Sequence, residues 1–146
     1  MKIALTSTGC IINSSSTRIL LIKHDVLGKW TAPGGHVEPN EMPHDAAIRE
    51  IKEELGIDVV IVGAGKELNL QSGKAIQLPT PYCVLQVPSG QADDTLYCDF
   101  RYIVTADDSK ELVLSEVLDA KWFSRVDLDE IDSYPSILKV AKELLL

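Results

Sequence analysis

The stretch from Pro43 to Gly56 constrains this chain more than any other, because it is bounded like a helix and carries three acids on one side. A proline costs nothing in the first helical turn, where its missing N–H would have no partner. A glycine at position 56 suits the left-handed residue that ends a helix. With about 100° of turn per residue, Glu50, Glu53 and Glu54 fall within an arc of about 100°. Ala47, Ile48, Ile51 and Leu55 make the adjoining apolar stripe, and Glu54 lies only about 20° from Ala47, at the margin of the face to be buried.

On an open helix, like charges at this spacing cost about 0.2–0.5 kcal/mol, so a solvated acidic face is physically allowed. Partial burial changes the balance. At an effective dielectric constant near 20, two charges about 6 Å apart repel by nearly 3 kcal/mol, and the cluster then needs a cation or raised pKa values. Hard oxygen ligands favour Mg²⁺, with Mn²⁺ as a substitute.

The rest of the composition narrows the partners. The chain has 146 residues with 22 acidic against 14 basic ones, a net charge of −8. That field repels a nucleic-acid backbone, so polymeric DNA or RNA is not an expected partner. A small phosphorylated ligand would need a local cation or a metal to offset it. With 45% hydrophobic residues, a single domain over residues 1–146 can build a core unaided. Cys10, Cys83 and Cys98 form no CxxC pair and read as buried thiols. No stretch approaches the roughly 18–20 apolar residues of a membrane span, and the start resembles no signal peptide. A cytoplasmic location without membrane contact is the expectation, with monomer or homodimer left open.

Along the chain, Lys2 to Ile12 and Arg18 to His24 read as strands joined by a tight polar turn at Asn13 to Thr17. Pro33-Gly34-Gly35 reads as a break in regular structure. Ile57 to Val62, Leu68 to Gln71, Tyr82 to Val87, Thr95 to Thr105 and a short Lys121 to Phe123 have strand character. Ile137, Leu138, Ala141, Leu144 and Leu145 recur at helical spacing after Pro135. The expected class is α/β, a mixed β-sheet sandwiched between helices.

Gly35, five residues, Glu41, seven residues, then Arg49-Glu50-Ile51-Lys52-Glu53-Glu54-Leu55-Gly56-Ile57 resembles a complete Nudix box. The pattern is a glycine, five residues, a glutamate, seven residues, Arg-Glu, an aliphatic, any residue, Glu-Glu, any residue, a glycine and an aliphatic. At usage of roughly 5–8% per residue type, seven fixed identities arise by chance about once in a million such chains. Trp30, Pro33-Gly34-Gly35 and Trp122-Phe123 extend the resemblance beyond the box. Asn40 departs from it, standing where members often have glycine, but asparagine tolerates left-handed backbone.

The resemblance implies the Nudix fold and a pyrophosphatase: metal-dependent hydrolysis of a diphosphate bond in a nucleoside diphosphate linked to another group. It implies Glu50 and Glu54 as metal ligands, Glu53 as a further one directly or through water, and a carbonyl of the Gly34-Gly35 pair as another. It also implies that Glu41 and Arg49 form an ion pair bracing the loop against the helix, for which the planar guanidinium fork is suited. The general base stays open between Glu53 and a downstream acid, Glu116, with Glu111 behind it. Tyr97 and Arg101 are candidate contacts to a base or phosphate, and such side chains also pack ordinary sheet edges. His24, His36 and His44 are too scattered for a spaced metal motif. The alternative is a catalytically silent nucleotide-sensing module on the same fold, in which box acids are usually lost; diphosphate-dependent isomerisation would need flanking proton donors that no arrangement here suggests.

Overall fold

A computed structural model describes residues 1–25, 28–70 and 73–146. Its strands are β1 (Lys2–Ile12), β2 (Arg18–Lys23), β3 (Gly34–His36), β4 (Val60–Val62), β5 (Cys83–Pro88), β6 (Thr95–Thr105) and β7 (Asp119–Ser124). Two helices, α1 (Pro43–Leu55) and α2 (Pro135–Leu144), and a 3-10 turn at Asp127–Glu130 complete it. The strands form one mixed sheet in the order β4-β6-β1-β2-β7, with β3 added to β1 and β5 to β6.

The spine is β1. Along one edge it runs parallel to β6 over its whole length, from Lys2↔Thr95 to Ile12↔Thr105. Along its other edge it is shared, pairing antiparallel with β3 at Thr6 to Thr8 and with β2 at Ile11 and Ile12. Between these two partners the Gly9 amide donates to the Pro33 carbonyl at 3.0 Å, so that this amide stays paired where the strands part.

Alternation along the strands divides the core into two layers. Ile11, Leu20, Ile22 and Val104 turn to α1, whose Ala47, Ile51 and Leu55 are fully buried. Cys10, Ile12, Ile19, Leu21 and Phe123 turn the other way, to Ile137, Val140 and Ala141 of α2. Each large aliphatic so buried stabilises the fold by about 1.5–3 kcal/mol. Among the described residues no helix is long and apolar enough to cross a membrane.

The helix ends follow from local chemistry. Pro43 begins α1, and Gly56 ends it at φ 70°, its amide donating to the Lys52 carbonyl at 2.9 Å. The turn from β1 to β2 is held by Asn13, whose Oδ1 accepts the amides of Thr17 and Arg18 at 2.9 and 3.0 Å.

Several sequence expectations need correction. Gly34 to His36 is a strand and not a break, because residues without side chains can lie tightly against β1: a Cβ on Gly34 would collide with the Ser7 carbonyl. Leu68 to Leu70 is not a strand, and Gln71 lies outside the described residues. There the Gln77 side chain substitutes for a ladder, accepting from the Leu68 amide and donating to the Lys66 carbonyl, both at 2.7 Å. Of Ile57 to Val62 only the last three residues pair.

Candidate active site

The site lies where α1 crosses the glycine strand. β1 and β3 pair so that Ser7 stands opposite Gly35, and both face α1. Ser7 anchors the helix start by donating from its hydroxyl to the Pro43 carbonyl at 2.6 Å. A Cβ on Gly35 would run into the Glu50 carboxylate, so only glycine lets the strand and the acid come this close.

Arg49 organises the approach. Its Nε and Nη2 donate to the two oxygens of Glu41 at 2.7 and 3.0 Å, a fork-to-fork pair. Nη1 reaches Glu50 at 3.0 Å and Glu53 at 3.2 Å, and Nη2 also donates to the His36 carbonyl at 3.0 Å. One guanidinium thus ties the loop, the glycine strand and two helix acids together. The pairing holds the Glu41 carboxyl below the usual carboxylate range and raises the guanidinium pKa further. Asn40, next to Glu41, adopts φ 64°, the left-handed backbone that asparagine tolerates.

Glu54 is in a different position. It is only 5% exposed, and its Oε2 is buried without a hydrogen-bond partner among the described residues. Burial, reinforced by repulsion from Glu50, Glu116 and Glu53, pushes its pKa up to about 8. Glu50 is raised too, chiefly by burial and against the pull of Arg49. Glu116 acts on both carboxyls because its loop is bonded to the end of α1: the Val113 and Ser115 amides donate to the Leu55 and Glu54 carbonyls, each at 3.0 Å. This docking puts Glu116 itself at φ 63°, a left-handed conformation unusual for a glutamate. Glu111 is exposed.

Among the described residues no three His, Cys, Asp or Glu side chains converge tightly enough to cage an ion by themselves. The reason is visible in Arg49, which draws Glu50 and Glu53 toward itself. Two features nevertheless fit a divalent cation. An unpaired carboxylate oxygen is buried at Glu54, and Gly35 leaves room for backbone and carboxylate oxygens to share one ligand.

The two candidate substrate contacts lie on the opposite face of the sheet. Arg101 is 6% exposed and donates to Asp99 at 2.9 Å and to Ser136 at 3.1 Å. Tyr97 packs edge to face with His36, their ring centroids 5.4 Å apart. The sequence did not single out Asp99, nor the amides of Val113 and Ser115. An acid two residues from an arginine within a strand was the available signal for the first; backbone amides leave none.

A mixed sheet between two helices, with acids of the first helix facing a glycine strand, places the chain among α/β proteins. The chain belongs to the NUDIX domain family, whose model matches residues 5–144. A NUDIX-family hydrolase from Clostridium perfringens superimposes with a TM-score of 0.82 at 29% identity, covering 97% of this chain and 95% of that one. The Ap4A hydrolase of C. elegans superimposes with a TM-score of 0.70 at 20% identity, covering 96% and 93%, a likeness of fold. An asymmetrical bis(5'-nucleosyl)-tetraphosphatase of Sus scrofa is 43% identical over 61 residues, covering 39% of this chain and 42% of that protein. The 8-oxo-dGTP diphosphatase of Proteus vulgaris is 50% identical over 38 residues, covering 26% and 34%. The matched segments therefore span less than half of these curated relatives.

Proposed function

We propose that this protein hydrolyses a diphosphate bond in a small nucleoside diphosphate linked to another group, using Mg²⁺ or, in its place, Mn²⁺. The observation that carries this reading is the buried, unpaired carboxylate oxygen of Glu54 amid three further acids. Family membership and relatives named for cleaving nucleotide anhydrides support it.

Glu50 and Glu54 would hold the ion, with Glu53 as a further ligand, directly or through water, and a carbonyl of Gly34 or Gly35 completing the set. The chemistry supplied by such an ion is neutralisation of charge on the phosphate oxygens as the anhydride opens. Arg49 and Glu41 keep the loop and helix in register. We assign Glu116 to accept a proton from the attacking water, with Glu53 as the second candidate. A soluble, cytoplasmic setting fits a small nucleotide substrate.

The test is release of phosphate-containing products from a panel of nucleoside triphosphates, dinucleoside polyphosphates, nucleotide sugars and nucleotide cofactors, with and without Mg²⁺. We expect cleavage of at least one class only when Mg²⁺ or Mn²⁺ is present. Binding without turnover across the whole panel would favour a nucleotide sensor instead. A second measurement addresses Glu116. Glu116→Gly relieves the left-handed strain, so stability should hold or rise within about 1 kcal/mol, while turnover should fall by about tenfold or more. Unchanged turnover would remove Glu116 from the reaction.

A further inference from the structure

We infer that the sheet face turned away from the acid cluster holds the substrate's base by stacking on Tyr97 and His36 without reading its hydrogen-bonding edge, so that different bases are accepted. This rests on the nucleotide-hydrolase reading above.

The strand register brings the parts together. Thr6 stands opposite His36 on β3 and opposite Asp99 on β6, and Ala4 stands opposite Tyr97. Because side chains alternate, His36, Thr6, Tyr97 and Asp99 share one face while Gly35 and Ser7 share the other. A single residue step along β3 therefore separates the backbone that faces Glu50 from the ring that faces Tyr97. A ligand whose phosphates lie at the acids can pass over this edge and set its base on the far side.

The two rings make a corner. Their planes meet at 88° with centroids 5.4 Å apart, so a planar heterocycle can lie flat on one ring and meet the edge of the other. His36 is exposed and Tyr97 half-buried, which leaves both available.

The floor beside them is polar but already engaged. Asp99 accepts from Thr6 at 2.9 Å, from Thr8 at 2.8 Å and from Arg101 at 2.9 Å. Arg101 also donates to Ser136, and both charged residues are more than nine-tenths buried. The Tyr97 hydroxyl accepts from Gln91 at 3.3 Å. Strong discrimination between bases arises when polar groups of a site are left unpaired by the wrong one. Here those groups pair with one another whichever base arrives, and stacking itself is tolerant of base identity. Arg101 accordingly serves to hold Asp99 in place and does not contact the ligand.

Equilibrium binding to the full chain tests this independently of turnover. Titration with AMP, GMP, 8-oxo-GMP, UMP and CMP should give Kd values within about tenfold of one another, and ribose 5-phosphate should bind about tenfold or more weakly. Tyr97→Ala should weaken the nucleotides by about tenfold and leave ribose 5-phosphate unchanged, while Tyr97→Phe should behave as the parent. A spread above about 100-fold among the bases, equal loss for nucleotides and ribose 5-phosphate in Tyr97→Ala, or no nucleotide binding at all would overturn the inference. Failure of the hydrolysis panel with nucleotide binding intact would instead overturn the catalytic reading alone.

Discussion

Replacing Glu54 with glutamine should lower turnover roughly 100-fold or more, about 2.7 kcal/mol of barrier, and at the same time stabilise the metal-free protein. Both effects come from the same buried oxygen. In the folded chain the Glu54 carboxyl has its pKa pushed up to about 8, whereas in the unfolded chain it titrates near 4.3. The folded state therefore binds the extra proton between these values, and stability is full below the lower one and lost as pH rises through the upper one. Glutamine cannot ionise, so in chelator at pH 8 to 9 the variant should be more stable by about 2 kcal/mol, a figure discounted for partial solvent screening. The difference should vanish near pH 4. Adding Mg²⁺ or Mn²⁺ should raise the Tm of the parent and leave that of Glu54→Gln nearly unmoved. Thermal melts across pH, with and without ion, read both quantities. Near-parental turnover together with an unchanged metal response would exclude Glu54 as a ligand.

Arg49→Ala should damage stability and activity together, and Arg49→Lys should recover little of either. The guanidinium contacts Glu41 through two bonds and reaches Glu50, Glu53 and the His36 carbonyl. Truncation leaves two partly buried carboxylates, the exposed Glu53 and a carbonyl without that cation, at a cost of about 2–3 kcal/mol for a site that is only partly screened from water. Turnover should fall about 100-fold, because Glu50 and the glycine strand lose the brace between them. Lysine keeps the charge but presents a single point, so it cannot grip Glu41 with two bonds while also reaching His36. Urea unfolding and steady-state rates measure the two losses. Recovery of both by lysine would mean that charge alone matters here.

How much of this could be read from sequence differed by element. α1 was legible to the residue, because Pro43 and Gly56 mark its ends chemically and the 3.6-residue period marks its buried side. β1 and β6 were equally clear, being long runs with strand propensity. β3 was not, since two glycines carry no periodicity, and what makes them a strand is the close approach of β1, whose Thr8 pairs with Gly34 and Thr6 with His36 across a long stretch of chain. The short paired segment at Val60–Val62 depended likewise on contact with β6. At the site, the box acids and the Glu41 to Arg49 pair were visible as a pattern. The direction in which Tyr97 and Arg101 point was not, because it is set by β-sheet register and by Asp99, which draws the arginine inward.

The three-residue strand β3 has a consequence for what insertions this chain can accept. Gly35 looks toward the acids and His36 toward Tyr97 only because Thr6, Ser7 and Thr8 hold them in one phase. Sliding β3 by one position would drive an imidazole into Glu50 and turn a bare backbone toward the stacking corner, emptying both subsites at once. Adding or deleting one residue between Pro33 and Glu41 should therefore be more damaging than most single substitutions in that segment, although every side chain of the machinery would still be encoded.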